Sequence, residues 1–371
     1  MKIVVTGGHI APALAVIESL PKEVEVIFIG RKNTFESDAS VSFEYAEITK
    51  RGIPFKTLPS ARLQRSISRH TIPSLLRLPN NIRLARKLLR EIHPSVVLSF
   101  GGYIGLPTVI AASTLSIPVV IHEQTTRAGF ANKISSRFAN AICISWESSS
   151  VYFPKEKTML TGNPLRKEIL QAVVKKAKSK SRPSLYITGG SSGSHFLNLL
   201  VEKHLSELLK RASITHQTGN AYPFNDYERL FKVRELLPDS LKARYRIEKF
   251  LFSQDAAKVL ASADMVVGRA GINTISELIY FEKPALCIPL STGQKGEQEE
   301  NALLLATLGL GRALLQEKAD VLFLSQIDEM LSSLSSFSLN DPSVRQRFMT
   351  AAEDIIHVIF DVENKKTNKK T

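Results

Sequence analysis

Residues 185–200 read LYITGGSSGSHFLNLL: a short apolar run, a loop of glycine and serine, and then apolar residues at helical spacing. The run at Leu185–Thr188 is typical of a strand buried on both faces. Glycines allow a tight turn that brings backbone N–H groups close to an anion, and a helix N-terminus adds about half a positive charge. The stretch therefore predicts a strand–loop–helix unit whose loop, Gly189–Ser194, could hold phosphate. A plain strand-to-helix turn with serine caps is the alternative.

This loop fits neither of two common phosphate motifs. Its spacing is not G-x-G-x-x-G, and no Asp or Glu follows the next apolar run, SITHQTG at 213–219, to bind a ribose diol. No Gly-Lys-Ser/Thr follows the glycines, which excludes a Walker loop. A dinucleotide site or a Walker-type nucleotide site is therefore not expected.

Around this unit, short β-branched runs alternate with helical patterns along the chain. Such alternation predicts right-handed βαβ units and parallel sheets covered on both faces. The basic stretch Lys175–Arg182 (KKAKSKSR) interrupts the pattern and is typical of an exposed linker. The sequence thus predicts two doubly wound α/β halves that bind ligands at the carboxyl ends of their strands. The predicted strands are Lys2–Val5, Val24–Ile29, Val96–Phe100, Val119–Ile121 and Ala141–Ser145, then Leu185–Thr188, Arg246–Phe250, Met265–Val267, Ala285–Ile288 and Arg312–Leu315.

The composition is that of a folded, two-domain protein: 371 residues, 43% hydrophobic and 23% charged. Cys143 and Cys287 lie apart in apolar runs, which predicts buried thiols in a reducing compartment and no zinc site. The N-terminus lacks the features of a signal peptide. Gly101–Ile121 carries no charge, but Pro107 and Pro118 interrupt it. A loop, a short helix and a buried strand are therefore expected there instead of a membrane span.

A further glycine turn follows the predicted strand at Met265–Val267, and Glu277 lies in the helical segment after it. A carboxylate there could accept both ribose hydroxyls of a nucleotide, and a solvated helix glutamate is the alternative. Thr274 and Ser276 are either caps, surface residues or ligand contacts. Three residues of the next polar loop could face sugar hydroxyls, unless they form an ordinary polar first turn of a helix: Glu297, Gln298 and Asn301.

The first half opens with its own glycine turn, Gly7-Gly8, followed by His9. Because the pKa of a histidine lies near neutral, His9 could be the general base that takes a proton from an acceptor hydroxyl. Helix capping and phosphate binding are its alternatives. The strand at Val119–Ile121 leads into His122-Glu123-Gln124, where Glu123 is either a rival general base or a residue that orders the neighbouring loops.

The formal net charge is +14, and residues 61–90 hold eight Arg or Lys and no acidic residue. These cations are interleaved with Leu and Ile, which favours an anionic membrane surface, where each cation contributes about 1 kcal/mol. A solvated face beside an apolar core stripe is the alternative. Nucleic acid is not expected, because no aromatic residues or binding motif accompany the charge. The cations are Arg62, Arg65, Arg69, Arg77, Arg83, Arg86, Lys87 and Arg90.

Taken in order, several short motifs make the chain resemble the MurG family of bacterial glycosyltransferases over roughly residues 1–305. Each motif alone is short, but all of them occur in the same order along the chain as in the family, which makes the resemblance specific. The motifs are T-G-G-H-x-x-P at Thr6–Pro12, G-G-Y at Gly101–Tyr103, H-E-Q at His122–Gln124, A-G-x-x-N-K at Ala128–Lys133, G-N-P-x-R at Gly162–Arg166, G-G-S-x-G at Gly189–Gly193 and R-x-G-x-x-T-x-S-E at Arg269–Glu277.

The resemblance implies a GT-B fold and an inverting, metal-free transfer without a cofactor. N-acetylglucosamine would move from UDP-GlcNAc to the MurNAc 4-hydroxyl of lipid I, giving lipid II in peptidoglycan synthesis. An acceptor and membrane-docking domain is expected at 1–165 and a UDP-GlcNAc domain at 166–341. A helix at about 342–360 would pack back on the first domain, and 362–371 would be a disordered tail. The protein would be peripheral, at the cytoplasmic face of the cell membrane.

The resemblance also implies residue roles. Ser191 and Arg166 would contact the donor diphosphate, Glu277 the ribose, and the backbone at Phe252-Ser253 the uracil. Glu297 and Gln298 would face the sugar, Tyr103 and Thr125 would bind the acceptor, and His9 and Glu123 would be catalytic. The other implied donor contacts are Thr6, Gly7, Gly8, Gly190, Gly271, Thr274 and Ser276.

Four positions depart from the family pattern. Val4-Val5 replace a glycine pair, Thr125 replaces Asn, and Glu297 replaces the first Gln of a pair. Our mechanistic hypothesis is direct displacement, with His9 or Glu123 removing the proton and loop amides stabilising the departing diphosphate. A UDP-GlcNAc 2-epimerase, a transferase using another lipid such as diacylglycerol, and a non-catalytic binding protein are the alternatives.

Overall fold

The computed structural model of the protein describes residues 1–33, 42–58, 71–173, 182–190, 192–220, 223–290 and 296–367, without the side chains of residues 43, 71–76 and 367. The chain divides into two compact units. The first unit is Met1–Arg166 together with Gln346–Thr371, and the second is Lys167–Arg345. Apart from Arg182, the predicted linker at 175–182 lies outside the described residues.

The first unit contains a sheet of seven parallel strands. They are β1 Lys2–Thr6, β2 Glu25–Gly30, β3 Phe55–Thr57, β4 Val96–Ser99, β5 Val119–Glu123, β6 Ala141–Ile144 and β7 Thr158–Leu160. Their order across the sheet is β3-β2-β1-β4-β5-β6-β7. Because β1 pairs with β2 on one side and β4 on the other, the strand order reverses there. The loops after Thr6 and Ser99 therefore lie at a topological switch point, where such folds bind ligands.

The second unit repeats this plan with six parallel strands. They are β8 Ser184–Thr188, β9 Ser213–Gln217, β10 Tyr245–Glu248, β11 Met265–Gly268, β12 Ala285–Cys287 and β13 Gly311–Ala313. Their order is β10-β9-β8-β11-β12-β13, so the reversal falls between β8 and β11. The glycine loop at Gly189 and the turn at Gly271 follow these two strands and lie at the switch point of this unit.

Helices connect the strands of both units. In the first unit they are α1 Ile10–Ser19, α2 Phe43–Lys50, α3 Thr71–Ile92, α4 Gly102–Thr114 and α5 Phe130–Ser135, with a 3-10 helix at Glu147–Tyr152. In the second they are α6 Lys167–Leu170, α7 His195–Arg211, α8 Asp226–Glu235, α9 Asp239–Lys242, α10 Ser253–Ser262, α11 Ile272–Tyr280, α12 Glu297–Thr307 and α13 Gln316–Ser332. The last helix, α14 Pro342–Thr367, begins in the second unit and continues into the first.

Both faces of each sheet are buried, as near-continuous apolar strands require. In β1, Val4 packs in one core cluster while Ile3 and Val5 pack in another. The second of these clusters also contains Ile355 and Ile359 of α14. The C-terminal helix thus covers one face of the first sheet.

The predicted strands, including the strand expected at 213–219, correspond to observed ones, but β3 and β7 escaped prediction. Both are three-residue edge strands with mostly exposed or half-buried side chains, so they leave no apolar run in the sequence. The predicted disordered tail at 362–371 is wrong at its start, because α14 continues to Thr367. Three of the six added residues are good helix formers, Glu363, Lys365 and Lys366, and they extend a helix already fixed by packing.

The uncharged stretch 101–121 forms α4 and most of β5, as expected. Among the helices that the structure describes, none is long and apolar enough to cross a membrane. Cys143 and Cys287 are buried thiols, also as expected, and burial raises the pKa of each to about 12.

Candidate functional site

The glycine loop of the second unit joins β8 to α7 in a geometry that only glycine permits. Gly190 and Gly193 have positive φ, +80° and +74°. A Cβ on Gly189 would lie 2.5 Å from the Ser194 nitrogen, and one on Gly193 would lie 2.3 Å from the Thr218 oxygen. Ser194 caps α7 by accepting the Leu197 N–H at 3.3 Å. The described part of the loop thus presents backbone at a helix N-terminus, whereas the predicted contact Ser191 lies outside the described residues.

Arg269 supports this loop from the end of β11. Its Nε donates to the Ser194 hydroxyl at 2.9 Å, and its Nη1 donates to the Ile288 carbonyl at 2.9 Å. The same Nη1 lies 3.0 Å from Gln316 Oε1, and the guanidinium lies over the Phe196 ring. Burial lowers the pKa of Arg269. Its motif position alone does not reveal this supporting role.

A polar network also fixes the N-terminal turn of α7. The buried Asp226 accepts hydrogen bonds from His195 Nδ1 at 2.8 Å and Asn198 Nδ2 at 2.7 Å. Asn198 Oδ1 lies 3.1 Å from His216 Nε2, and His216 Nδ1 lies 2.9 Å from the Tyr245 hydroxyl. Burial lowers the pKa of His216 to about 3, so this histidine is neutral. None of these contacts could be expected from the sequence.

The predicted ribose site lies in α11, which begins after the N-cap Gly271. Thr274 and Glu277 are half-buried there. Ser276 was predicted to contact the donor, but its side chain is fully buried and its hydroxyl donates to the Ile272 carbonyl at 2.9 Å. Its spacing within the helix turns its side chain toward the core, and its donor contact stays a prediction.

The predicted sugar loop leads into α12, whose N-cap Gly296 has φ +78°. Glu297 is the first residue of the helix. Gln298 accepts the Leu290 N–H at 3.0 Å, which ties the helix to the segment after β12. Asn301 is fully buried and donates to the Ala270 carbonyl at 3.0 Å, which favours the alternative of an ordinary polar turn for this residue.

The remaining predicted donor contacts are less constrained. Phe252 is the N-cap of α10, its ring is 69% exposed, and Ser253 begins the helix. Arg166 is half-buried and is the last residue of the first unit before α6. Their roles stay predictions.

In the first unit the two glycine loops at the switch point contact each other. Gly7 has φ +135°, and a Cβ there would lie 2.7 Å from the Phe100 carbonyl carbon. The Gly8 N–H donates to the Gly101 carbonyl at 3.2 Å. Thr6 is fully buried, so only the backbone of this loop could reach the predicted donor. Tyr103 is half-buried in the first turn of α4.

His9 is the N-cap residue of α1, yet its side chain makes no capping hydrogen bond. Its Nδ1 instead lies 2.6 Å from the amide nitrogen of Gln124, which follows β5. The structure therefore brings together the first glycine loop and the H-E-Q motif, which are 115 positions apart.

The Glu123 carboxylate is buried and fully engaged with its own loop. Oε1 accepts the Thr125 N–H at 3.1 Å and lies 2.7 Å from the Thr125 hydroxyl. Oε2 accepts the Gly129 N–H at 2.8 Å and the Asn132 amide at 3.0 Å. Of the two roles open to Glu123, this geometry favours ordering the loops over proton abstraction. The Thr125 hydroxyl is buried beside Glu123, and its predicted acceptor contact stays a prediction.

His122 links β5 to the G-N-P-x-R segment. Its Nε2 lies 3.1 Å from both the Gly162 carbonyl and the Ser145 hydroxyl. Gly162 has φ +88°, and a Cβ there would lie 2.8 Å from the Arg347 carbonyl oxygen of α14. Burial lowers the pKa of His122 to about 4, so this histidine holds the turn in its neutral form.

No group of three or more His, Cys, Asp or Glu among the described residues is placed to hold a metal ion. The polar groups that the two switch points present are backbone amides, arginines, one half-buried carboxylate and His9. Such groups suit phosphate, ribose and hydroxyl recognition.

Comparison with known proteins places both units in one family. Residues 3–144 match the glycosyltransferase family 28 N-terminal domain, and residues 184–359 match the C-terminal domain of that family. The UDP-N-acetylglucosamine--N-acetylmuramyl-(pentapeptide) pyrophosphoryl-undecaprenol N-acetylglucosamine transferase of Listeria welshimeri is 33% identical over 310 residues, covering 81% of each chain.

Two solved structures show the same fold. Acinetobacter baumannii MurG matches with a TM-score of 0.73 at 24% identity, covering 97% of this chain and 99% of the other. UDP-GlcNAc 2-epimerase from Neisseria meningitidis, bound to UDP-GlcNAc, matches with a TM-score of 0.63 at 14% identity, covering 97% and 100%. With two parallel sheets, two glycine loops at their switch points and this identity to its relatives, the chain has a GT-B fold and belongs to the MurG family of glycosyltransferases.

Proposed function

We propose that this protein transfers N-acetylglucosamine from UDP-GlcNAc to the MurNAc 4-hydroxyl of undecaprenyl-pyrophosphoryl-MurNAc-peptide, converting lipid I to lipid II. One observation carries the proposal: the family matches at residues 3–144 and 184–359 span both units and include the glycine loop of each, and the listed relatives of 33% identity are named as such transferases. The likeness to the epimerase, at 14% identity, concerns the fold alone.

We assign the donor to the second unit. The loop at Gly190 and the α7 N-terminus would bind the diphosphate through backbone N–H groups. Glu277 would accept the ribose hydroxyls, and the backbone at Phe252 and Ser253 would contact the uracil. Arg166 and Ser191 would also contact the diphosphate. The contacts proposed toward the sugar are those of Gly271, Thr274 and Glu297.

We assign the acceptor to the first unit, with Tyr103 and His9 as the residues that face it. His9 would act through its ring Nε2, since Nδ1 is engaged by Gln124. Glu123 would not touch the substrate, because four hydrogen-bond contacts already occupy its carboxylate. The displacement inverts the anomeric carbon, and the loop amides stabilise the charge that develops on the departing UDP.

The basic strip predicted at 61–90 is described only in part. Among its described residues, Ala85 and Leu89 of α3 pack in the core and Ile82 packs against it. The exposed cations Arg77, Arg83, Lys87 and Arg90 lie beside this core stripe, which supports the alternative of a solvated face. The side chains of residues 61–76 lie outside the described part of the chain.

We propose a membrane contact at a different surface, the α5 face, defined as α5 with Phe138 and the 3-10 helix at Glu147–Tyr152. Phe130 is 59% exposed and Val151 is 79% exposed. Lys133 lies 3.9 Å over the Tyr152 ring. Exposed aromatic and aliphatic side chains with a cation beside them suit an anionic bilayer surface. The protein would then be peripheral, at the cytoplasmic face of the membrane that carries lipid I.

The experiment is a transfer assay with radiolabelled UDP-GlcNAc and three acceptor conditions: a lipid I analogue, a diacylglycerol, or no acceptor. We expect label in lipid II only with the lipid I analogue, and a large loss of turnover in His9→Ala. Labelled diacylglycerol would identify another lipid acceptor, and conversion of UDP-GlcNAc without acceptor would identify the epimerase. Either result would overturn the proposal.

A further inference from the structure

The donor loop, Gly189–Ser194, is fixed at Gly190 by hydrogen bonds to both backbone polar groups of that residue. The Gly190 N–H donates to the Thr188 hydroxyl at 3.0 Å. The Gly190 carbonyl oxygen accepts the Gly193 N–H at 3.1 Å and the amide nitrogen of Gln217 at 3.3 Å. Gly193 belongs to the loop and moves with it, whereas Gln217 is the last residue of β9. Gln217 therefore ties the donor loop to the sheet.

The orientation of the Gln217 amide follows from its two partners. A backbone carbonyl only accepts, so the amide nitrogen faces Gly190. The amide oxygen then accepts the Tyr186 hydroxyl at 2.9 Å. Gln217 and Tyr186 are both buried, and their strands β9 and β8 are paired in parallel. Both ends of the amide are thus bound, and two strands of the sheet carry it.

The segment after Gln217 packs against the donor loop so closely that only glycine fits. A Cβ on Gly219 would lie 2.2 Å from the Gly193 nitrogen, and one on Gly193 would lie 2.3 Å from the Thr218 oxygen. Asn198 of α7 donates to the Thr218 carbonyl at 3.1 Å. Close-packed regions transmit small shifts. A change at the end of β9 should therefore move the loop that follows β8.

We propose that Gln217 is a positioning residue for the donor diphosphate, acting through the Gly190 carbonyl without touching the ligand. A glycine peptide can turn at little cost, and a carbonyl oxygen turned toward the phosphates would repel them. By binding that oxygen, Gln217 keeps it turned toward β9, so that the loop meets the anion with its N–H groups. The inference rests on the proposed function in one respect, namely that this loop binds the diphosphate.

The test separates the diphosphate from the rest of the nucleotide. Isothermal titration calorimetry on the full-length protein measures the affinity for UDP and for uridine, which lacks both phosphates. Gln217→Met removes the hydrogen bond to Gly190 and keeps the length of the side chain. Tyr186→Phe keeps Gln217 but removes the hydroxyl that orients it. The control, Tyr280→Phe, removes a hydroxyl that donates to the Leu170 carbonyl in the same unit.

We expect Gln217→Met to weaken UDP binding about 10-fold, as the loss of one hydrogen bond predicts, and to leave uridine binding unchanged. Tyr186→Phe should weaken UDP binding by a smaller factor, again without effect on uridine, and Tyr280→Phe should change neither. Unchanged UDP binding in Gln217→Met would overturn the inference. Equal losses of UDP and uridine binding would also overturn it, because they indicate general damage to the unit. If Gln217→Met does not fold, Tyr186→Phe decides by the same criteria.

Failure of the proposed function looks different, because it is seen in the wild-type protein. Wild-type protein that binds UDP no more tightly than uridine would contradict the assignment of the diphosphate to this loop, and with it the inference. Wild-type protein that prefers UDP as expected but makes no lipid II would contradict the transferase assignment and leave the role of Gln217 intact.

Discussion

At the scale of single residues, Ser276 and Asn301 differ from the other polar groups predicted near the donor. Both are fully buried, and each donates to a backbone carbonyl of its own fold at about 3 Å. Gln298, which accepts the Leu290 N–H at 3.0 Å, is half-buried, as are Glu277 and Thr274. Solvent therefore reaches the side chains of Glu277, Thr274 and Gln298 but not those of Ser276 and Asn301.

Glu277 provides the sharpest test of the ribose assignment. We expect Glu277→Gln to raise KM for UDP-GlcNAc by about 10- to 100-fold, because hydrogen bonds to a charged group contribute about 1.5–3 kcal/mol. Wild-type protein should lose a similar factor with a 2′-deoxyribose donor, whereas the variant should lose little more. Equal discrimination against the deoxy donor by both proteins would remove Glu277 from the ribose site.

If Arg269 supports the donor loop through its hydrogen bonds, an apolar side chain of similar length should not replace it. Arg269→Met leaves the Ile288 carbonyl and the Ser194 hydroxyl without their partner. We expect the free energy of unfolding to fall by about 1–3 kcal/mol and the affinity for UDP-GlcNAc to weaken. Chemical unfolding and a binding titration measure both. Arg246→Met removes a more exposed arginine from the same unit and should leave both unchanged.

Sequence patterns find the glycines but not their supports, for a physical reason. Gly7, Gly190 and Gly193 stand out because a loop after a strand needs their backbone freedom. Arg269 meets Ser194 across 75 positions, and Gln124 meets His9 across 115. Such contacts follow from how parallel strands are ordered in each sheet, which short-range spacing does not encode. The burial of Ser276 and Asn301 was not predicted for the same reason.

At the scale of elements, helices α3 and α5 of the first unit differ in what lies beside their cations. The described part of α3 places its apolar residues in the core, whereas α5 and the neighbouring 3-10 helix leave Phe130 and Val151 exposed. Gly129 and Asn132 bind Glu123, so the α5 face is tied to the loop that carries Gln124. A surface that holds a lipid-linked acceptor would benefit from that connection.

This difference predicts where vesicle binding is lost. Beside Lys133, the exposed Arg137 lies between α5 and Phe138. Lys133→Gln with Arg137→Gln should weaken binding to vesicles of phosphatidylglycerol and phosphatidylcholine by about 30-fold, since each cation near the surface contributes about 1 kcal/mol. The control is Lys232→Gln with Lys258→Gln, which removes the same charge from the second unit. Flotation with and without salt measures the binding. An equal loss in both pairs would show a dependence on net charge alone and contradict a specific α5 face.

At the scale of the whole molecule, α14 completes the first unit although it is last in sequence. Ile355 and Ile359 share a core cluster with Ile3 and Val5 of β1, so the unit is assembled from both ends of the chain. The same helix contacts the two segments that position the candidate site, through Phe348 against Trp146 and through Arg347 beside Gly162. The C-terminal helix is therefore part of the acceptor unit's core and not a surface appendage.

Each unit also contains a fully buried neutral histidine, which predicts how stability depends on pH. Burial lowers the pKa of His122 to about 4 and that of His216 to about 3, from an ordinary value of 6.5. Between pH 6.5 and these values the unfolded chain binds a proton that the folded chain does not, so stability falls as the pH falls. By pH 5 the loss is on the order of 2 kcal/mol for each histidine.

The contribution of His216 can be isolated by substitution. In His216→Gln, the difference in unfolding free energy between pH 7 and pH 5 should shrink by about 2 kcal/mol relative to wild type. His357→Gln replaces an exposed histidine of α14 and should leave the difference unchanged. Peptide-resolved hydrogen exchange should show the altered pH response in β9, which contains His216. It should also show it in α7 and β10, whose residues Asn198 and Tyr245 contact His216. An unaltered pH response in His216→Gln would mean that this histidine is already protonated in the folded protein, and its contacts to Asn198 and Tyr245 would then have to be reassigned.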